Sequence, residues 1–438
     1  MRRWWTLRGA FVPSKATSKN KNQQPFHISK AGTVILNWKK ELGDEGRNKN
    51  EKTWKKDPFH ISSTKKMTTA TTISYSSLDT FFTKWTTAQE VVKKINLNGH
   101  GRTAIVTGSN SGIGYESALS LILSGFNVIC CCRSLEKSTA TVESIHAAAA
   151  AAAATAAADT NVAAAAHNIG TCSTGIVDLG DLNSVRSFVD SLPDDILISI
   201  LLNNAGIMQL PSFQTSEQGY EKQFAVNFLG PWLLTRLMTP KLQQAATTTG
   251  VKSRVVNVAS SAHYASSLSK IPTADMIGDP VTARAAYTNG WNEYATSKLY
   301  QILDAKHHAK KKNGGSGSGS ILFFSLHPGV IKTGLARNSK CCSFTRLLYC
   351  FPKSLYCCCC CCQGVLRTSV QQGAATSVRA CIDPSLEASN GCYLHENTHP
   401  KEPRLPENFD SERFQERCEE LCGGGGGGGG GATGESKT

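Results

Sequence analysis

Tyr294 and Lys298 are four residues apart, so a helix that carries both presents them on one face. A phenol with a pKa of ~10 supplies little phenolate near neutrality. A neighbouring ammonium favours the phenolate and brings the group toward general acid/base work. A second Y-x-x-x-K spacing, Tyr349 with Lys353, encloses Pro352, which breaks a helix between its ends, so the first pair is the one to build on. Upstream, Ser260 and Ser261 close an apolar run, and a hydroxyl there can donate to a substrate oxygen while Tyr294 transfers a proton. Asn227, in a segment read as helical, can hold a water linking Lys298 to solvent. Singly, these are a turn serine, a surface amide and a chance spacing; as an ordered set they describe proton transfer at an oxygen.

A second constellation points to a nucleotide. The run TGSNSGIG at 107–114 follows an apolar strand and opens an apolar-striped segment. Gly108, Gly112 and Gly114 permit a tight turn and close approach of backbone to a pyrophosphate, with Ser109, Asn110, Ser111 and Ile113 completing the loop. The helix that follows offers unpaired N–H groups and positive potential. Asp178 ends a later strand, and NNAG at 203–206 places Asn204, Ala205 and Gly206 at the end of the next. These are the strand ends at which open α/β sheets bind ligands. A site preferring NAD has an acid near the end of the second strand. This chain has Cys132 there, followed by Arg133, which can pair with a 2′-phosphate, so NADP(H) is the expected cofactor.

The elements that must position these residues are legible as short apolar runs alternating with amphipathic segments. Strands are expected at 103–107, 127–132, a short one ending at 176–177, then 196–202, 254–259, 321–326 and about 392–394. Helices intervene each time, which implies parallel strands joined by crossovers: an α/β, Rossmann-type doubly wound parallel sheet in a single domain. The alanine tract from 147 lies between the second and third strands and is expected to lengthen that crossover helix. The Gly/Ser-rich stretch at 310–320 reads as a flexible insertion.

Charge and composition limit the alternatives. Of the formal net charge of +14, residues 1–66 carry +11, from 16 Lys/Arg against 5 Asp/Glu. The basicity therefore belongs to an N-terminal segment, and a nucleic-acid function of the fold is not expected. The first forty residues hold nine basic residues and no acid, which suits an organellar transit segment as well as a solvated tail, leaving organelle and cytoplasm both open. Most of the seventeen cysteines are contiguous at 130–132 and 357–362, spacings that suit neither a disulfide framework nor a zinc site; no metal is expected, and a reducing compartment is favoured. The apolar stretch 344–362 is interrupted by Arg346, Pro352 and Lys353, so no transmembrane helix is expected, while association with a membrane surface stays open. Residues 1–95 read as a basic, largely disordered extension, 96–420 as the cofactor-binding domain and 421–438 as a Gly-rich tail. Trp38, Trp54 and Pro58 are at best a degenerate WW-domain remnant, and the repeated PFHIS at 25–29 and 58–62 has no physical account.

From about 96 to 392 the chain resembles the short-chain dehydrogenase/reductase family: TGSNSGIG, NNAG, VNFLG (226–230), RVVNVASSAH (254–263), YATSK (294–298) and HPGVIKTGL (327–335) occur in family order. The resemblance implies Tyr294 as general acid/base, Lys298 as the group that lowers its pKa and holds the nicotinamide ribose, and Asn227 in a proton relay. It implies that Pro328, Gly329, Val330 and Thr333 flank the nicotinamide and that Asp178 lies near adenine. The family pattern S-S-x-x-H, counted back from His263, selects Ser260 to orient the carbonyl, with Ser261 the fallback. SNSGIG, HPGVIKT and QQGAATSV (371–378) look most like the branch of retinol dehydrogenases and the WW-domain oxidoreductase. That likeness implies hydride transfer between NADP(H) and an apolar carbonyl or alcohol of retinoid, steroid or lipid-aldehyde type, with 344–356 as a variable substrate loop. The competing expectation is a catalytically silent member serving as a binding or scaffold protein. Oligomeric state is left open, with homo-oligomers allowed.

Overall fold

Eight strands form one sheet in the order β3-β2-β1-β4-β5-β6-β7-β8. They are β1 Thr103–Thr107, β2 Asn127–Cys132, β3 Cys172–Ile176, β4 Ile198–Asn203, β5 Ser253–Val258, β6 Ile321–His327, β7 Tyr393–His395 and β8 Pro400–Lys401. The computed structural model describes residues 82–158, 169–266, 276–311, 320–331, 333–335, 369–397, 400–401, 403, 405–406 and 409–423. The first seven strands are mutually parallel, and the order reverses at β1, which pairs with both β2 and β4. This is the doubly wound architecture, with its ligand crevice at the switch between β1 and β4. Two details depart from expectation. β3 begins at Cys172 and ends before Val177, and a short antiparallel β8 follows β7.

Both faces of the sheet are covered, so the central strands are buried along their whole length. On one face Ala104, Val106, Val128, Ile200, Val256 and Phe324 meet the helices Ala88–Ile95, Gly112–Leu123, Leu135–Ala158 and Val370–Ile382. On the other, Ile105, Leu201, Val255 and Phe323 meet Leu182–Asp190, Gly230–Thr249, Trp291–Lys311 and Ser411–Gly423. The alanine tract does lengthen a crossover helix: Leu135–Ala158 runs 24 residues, with Ile145 and Ala149 on its buried side.

The packed chain extends past both expected boundaries. Phe82, Ala88 and Val91 belong to the core, although the extension was expected to run to 95. Thr87 and Glu90 form a capping box that starts the helix Ala88–Ile95, and Arg379 lies over the Phe82 ring. At the other end, Leu421 and Cys422 are buried on the last turn of Ser411–Gly423, so the fold continues past 420. Phe414 of that helix stacks on Phe228 at 5.3 Å and lies 5.2 Å from Tyr300. The tryptophans at 38 and 54, the cysteine run at 357–362, the expected substrate loop at 344–356 and most of the Gly/Ser insertion lie outside the described residues.

Candidate active site

The glycine turn is built as its residue types require. Gly108 and Gly112 take φ of +66° and +59°, the left-handed region that side chains disfavour. A Cβ on Gly114 would stand 2.3 Å from Gly108 O and 2.4 Å from Asn204 Nδ2, so the helix Gly112–Leu123 can approach the turn this closely only with glycine there. Asn204 Nδ2 donates to Thr107 O at 2.8 Å and Gly108 O at 3.3 Å, while Thr107 Oγ1 accepts from the N–H groups of Asn204 and Ala205, both at 3.0 Å. One threonine and one asparagine thereby lock the ends of β1 and β4 together at the switch point.

A cleft of about 490 Å³ opens over these strand ends. Its lining joins the two constellations. Gly108, Asn110, Ser111, Gly112, Ile113 and Gly114 stand at one end with Arg133 and Asp178; Asn204, Ala205 and Gly206 lie between; Ser260, Tyr294, Lys298, Pro328 and Gly329 stand at the other, and Thr333 lies against Gly112. Three expected residues sit differently. Ser109 is fully buried and turns its hydroxyl toward Cys131 O at 3.5 Å. Ile331, and not Val330, lines the wall after β6. Asn227 lies behind the wall, as described below. Ser261 is not on the lining and begins a short 3-10 turn. Asp178 spends one carboxylate oxygen, Oδ1, accepting from Gly180 N at 2.8 Å, which shapes the loop after β3.

Lys137 and Lys222 also line the cleft, so among the described residues four basic side chains, with Arg133 and Lys298, face it against one carboxylate, that of Asp178. That balance fits an anionic ligand carrying several phosphates. Lys137 was not singled out in the sequence, although it follows Arg133 by four residues across the start of the next helix.

Tyr294 and Lys298 both lie on the long helix Trp291–Lys311, with Lys298 Nζ 5.8 Å from the Tyr294 ring centre. Lys298 is buried, and its Nζ donates to Val258 O at 2.7 Å and Gln301 Oε1 at 3.1 Å. Burial pushes its pKa down to about 7. Ser260 caps the following 3-10 turn by accepting from Ala262 N, and its carbonyl contacts His263 Nδ1 at 2.7 Å. His263 is fully enclosed and its pKa is lowered by burial, so the neutral ring donates Nδ1–H to that carbonyl.

Asn227 stands in a π-helical segment, Ala225–Leu229, rather than in the α-helix expected. The reason is in the chain: Pro231, four residues on, has no N–H to close an α-helical bond with the Asn227 carbonyl. That carbonyl accepts instead from Gln301 Nε2 at 2.8 Å. The Asn227 amide braces the strand-four loop, Oδ1 accepting from Ile207 N at 2.8 Å and Nδ2 donating to Ile207 O at 2.9 Å and Ser297 Oγ at 3.0 Å. Gln301 therefore links Asn227 to Lys298 directly through one side-chain amide. Sequence reading overlooked it; its signal was the i,i+3 spacing from Lys298. Around Tyr294 the surface is apolar: Met208, Ala262 and Ala295 pack with it, and Trp291 and Leu335 flank it.

Among the described residues no group of three or more potential metal ligands occurs, and no helix is long and apolar enough to cross a membrane.

The profile of the short chain dehydrogenase family matches residues 102–179 and 158–270. Retinol dehydrogenase 12 of Bos taurus is 30% identical over 326 residues, spanning 74% of this chain and 87% of that protein. Short-chain dehydrogenase TIC 32 B, chloroplastic, of Brassica napus is 31% identical over 309 residues, 70% of this chain and 83% of that protein. Retinol dehydrogenase 13 of Homo sapiens is 33% identical over 240 residues, 55% of this chain and 62% of that protein. The crystal structure of an uncharacterized protein from Mycobacterium Paratuberculosis superposes with a TM-score of 0.50 at 21% identity, covering 75% of this chain and 95% of that one, a likeness of fold.

Proposed function

The chain belongs to the short-chain dehydrogenase family, in its retinol dehydrogenase branch, and on that premise we propose an NADP(H)-dependent oxidoreductase acting on the carbonyl or alcohol carbon of an apolar substrate. The family's activity is oxidoreduction with a nicotinamide cofactor; the choice of NADP(H), the substrate class and the residue roles are the proposal. The observation that carries it is one cleft joining a glycine turn to Tyr294, Lys298 and Ser260.

The residues present fit the cofactor. Gly108 and Gly112 supply the left-handed backbone of the turn and Gly114 admits the close approach of the helix, so the turn and the N-terminus of Gly112–Leu123 border the cleft where a pyrophosphate would lie. Arg133 is exposed at the end of β2, beside Lys137, and together they suit a 2′-phosphate, with Asp178 on the adenine side. Pro328, Gly329 and Thr333 would border the nicotinamide end, and Lys298 its ribose. When bound, the nicotinamide ring supplies or takes the hydride.

The chain's own residues move the proton and hold the substrate. Ser260 donates a hydrogen bond to the substrate oxygen, and Tyr294 gives that oxygen its proton in reduction or removes it in oxidation. Lys298, while protonated, lowers the cost of the Tyr294 phenolate. Asn227 and Gln301 act as positioning residues, holding Lys298 through the Gln301 amide. Met208, Ala262, Trp291 and Leu335 make the surroundings of the reacting oxygen apolar, which supports a retinoid- or lipid-like substrate over a sugar. The first forty residues, basic and without an acid, and a relative described as chloroplastic support an organellar address.

The test is NADPH consumption with retinal and a panel of apolar aldehydes and ketones, wild type beside Tyr294→Phe. Turnover is expected to fall about 10²- to 10⁴-fold in the variant, with NADPH affinity held within a few-fold. Binding of NADPH without turnover on any substrate would favour the silent scaffold reading. Well-folded protein that binds no NADPH would overturn the proposal.

A further inference from the structure

Two thiols approach each other away from the catalytic end of the cleft. Cys130, inside β2, and Cys172, the first residue of β3, bring their Sγ atoms to 3.0 Å. Both are free thiols. The strand register pairs Cys172 with Val128 and Cys130 with Thr174, so the two are diagonal neighbours across a parallel ladder. They share the sheet face covered by the alanine-bearing helix Leu135–Ala158. The adjacent cysteines do not compete for this position. Cys131 packs on the opposite face, and Cys132 Sγ lies beside Thr141 Oγ1 and Ser109 Oγ.

The pair is chemically unequal. Either thiol can donate in the Sγ–Sγ contact, which favours ionisation of Cys172 and, with burial, disfavours that of Cys130. Cys172 is also the more accessible, 8% exposed against 0%, and β3 is the outermost strand, with Ser173 and Thr174 facing solvent. A thiolate is the nucleophile in thiol oxidation, so Cys172 is the residue placed to react first. An S–S bond of ~2.0 Å requires about 1 Å of further approach from the present separation.

We propose that Cys130 and Cys172 are a reversible oxidative modification site, closed to a disulfide by a peroxide-class oxidant, that staples β2 to β3. The Cys172 thiolate attacks one peroxide oxygen; the O–O bond breaks, and hydroxide leaves and takes up a proton as water. The Cys130 sulfur then attacks the resulting sulfenic sulfur. The S–O bond breaks, and the departing hydroxide carries off the Cys130 proton as a second water. Two thiols lose two hydrogens in all, and one peroxide becomes two waters. A dithiol reductant reverses the bond by thiol exchange. The staple lies two residues before the end of β2, where Cys132 and Arg133 line the cleft, so it would brace the strand that carries the cofactor-selecting arginine.

The test exposes the full-length wild type to hydrogen peroxide, blocks remaining thiols under denaturing conditions, and maps a non-reduced digest by mass spectrometry. Fragment ions distinguish Cys130 from Cys131 and Cys132. The expected result is a Cys130–Cys172 linked peptide lighter by two hydrogens. Dithiothreitol removes it, and an upward Tm shift on the order of 5 °C accompanies it. Cys131→Ser should retain the link, and Cys172→Ser should lose it; if the latter fails to fold, the wild-type map still decides. Full alkylation of both cysteines after peroxide, a link from Cys172 to any other cysteine, or Cys172 ending as a sulfinic acid would overturn the proposal.

Discussion

The amine of Lys298 lies 2.7 Å from the carbonyl oxygen of Val258, the last residue of β5. A buried lysine thereby ties the helix that carries Tyr294 to the strand that leads into Ser260. The tie holds both sides of the proposed chemistry in register, and it does so with a group whose charge is costly where it sits.

That cost has a sign that can be measured. Burial brings Lys298 to about 7 in the folded chain, against an ordinary value of 10.5. Between these values the unfolded chain binds the extra proton, so wild-type stability gains from this group as pH rises from 7 toward 10.5. Lys298→Met removes this dependence. It also leaves Val258 O and Gln301 Oε1 without this donor, so the change with pH is the readout rather than the offset. The stability difference, wild type minus variant, should move in favour of wild type by up to ~1.4 kcal/mol per pH unit over that window. Denaturant titrations of cofactor-free protein from pH 7 to 9.5 check it; a difference flat with pH would sink the assignment.

Arg133 is the second lever. If it pairs with a 2′-phosphate, Arg133→Ala removes a charge-assisted bond of about 1.5–3 kcal/mol, roughly 10- to 100-fold in NADPH affinity. NADH, which lacks that phosphate, should bind within twofold of wild type. Fluorescence titration with both cofactors separates the cases, and equal losses for the two would place Arg133 elsewhere in the site.

Most of this architecture was legible in the chain because each strand is a short apolar run ended by a turn. β1 and β2 fall on the expected residues, and β4 to β7 shift by one or two at their ends. Hydrophobic pattern marks where a strand is buried, whereas the ladder's hydrogen bonds decide where it stops, and these involve partners distant in sequence. The candidate site was legible wherever one residue type has one use, as in the glycines of the turn and the Tyr294–Lys298 pair. What escaped was the support behind it. Gln301 is an ordinary helical glutamine until the fold brings Asn227 and Lys298 to its two ends. The π-helical segment was implied by Pro231, but only for a reader asking what the Asn227 carbonyl would bond. Phe82 and the helix Ala88–Ile95 fall inside the expected extension because an amphipathic pattern of only eight residues, ahead of the first strand, is too short to stand out.

Gly114→Ala tests the turn itself. The added methyl would stand 2.3 Å from Gly108 O and 2.4 Å from Asn204 Nδ2, contacts that real Cβ atoms do not make. Either the helix Gly112–Leu123 backs away or the Asn204 brace breaks. We expect a loss of about 1–3 kcal/mol in stability and at least tenfold in NADPH affinity, read by thermal denaturation and titration. A fully stable variant with unchanged affinity would mean that the turn does not approach the helix this closely.

Phe414 tests whether the C-terminal helix is part of the fold. It is fully buried among Phe228, Tyr300 and Phe409, and its helix is further tied by Trp232 Nε1 donating to Gln415 Oε1 at 2.7 Å and Tyr220 OH donating to Leu421 O at 2.8 Å. Phe228 also sits in the π-helical segment next to Asn227, so the aromatic cluster backs the wall that holds Lys298. Phe414→Ala should cost about 3–5 kcal/mol in urea unfolding and, through that wall, lower turnover more than NADPH affinity, which is set at the far end of the cleft. A loss under 1 kcal/mol would show that Ser411–Gly423 docks without contributing to the core. Loss of affinity equal to the loss of turnover would show that the cluster supports the whole cleft rather than its catalytic end.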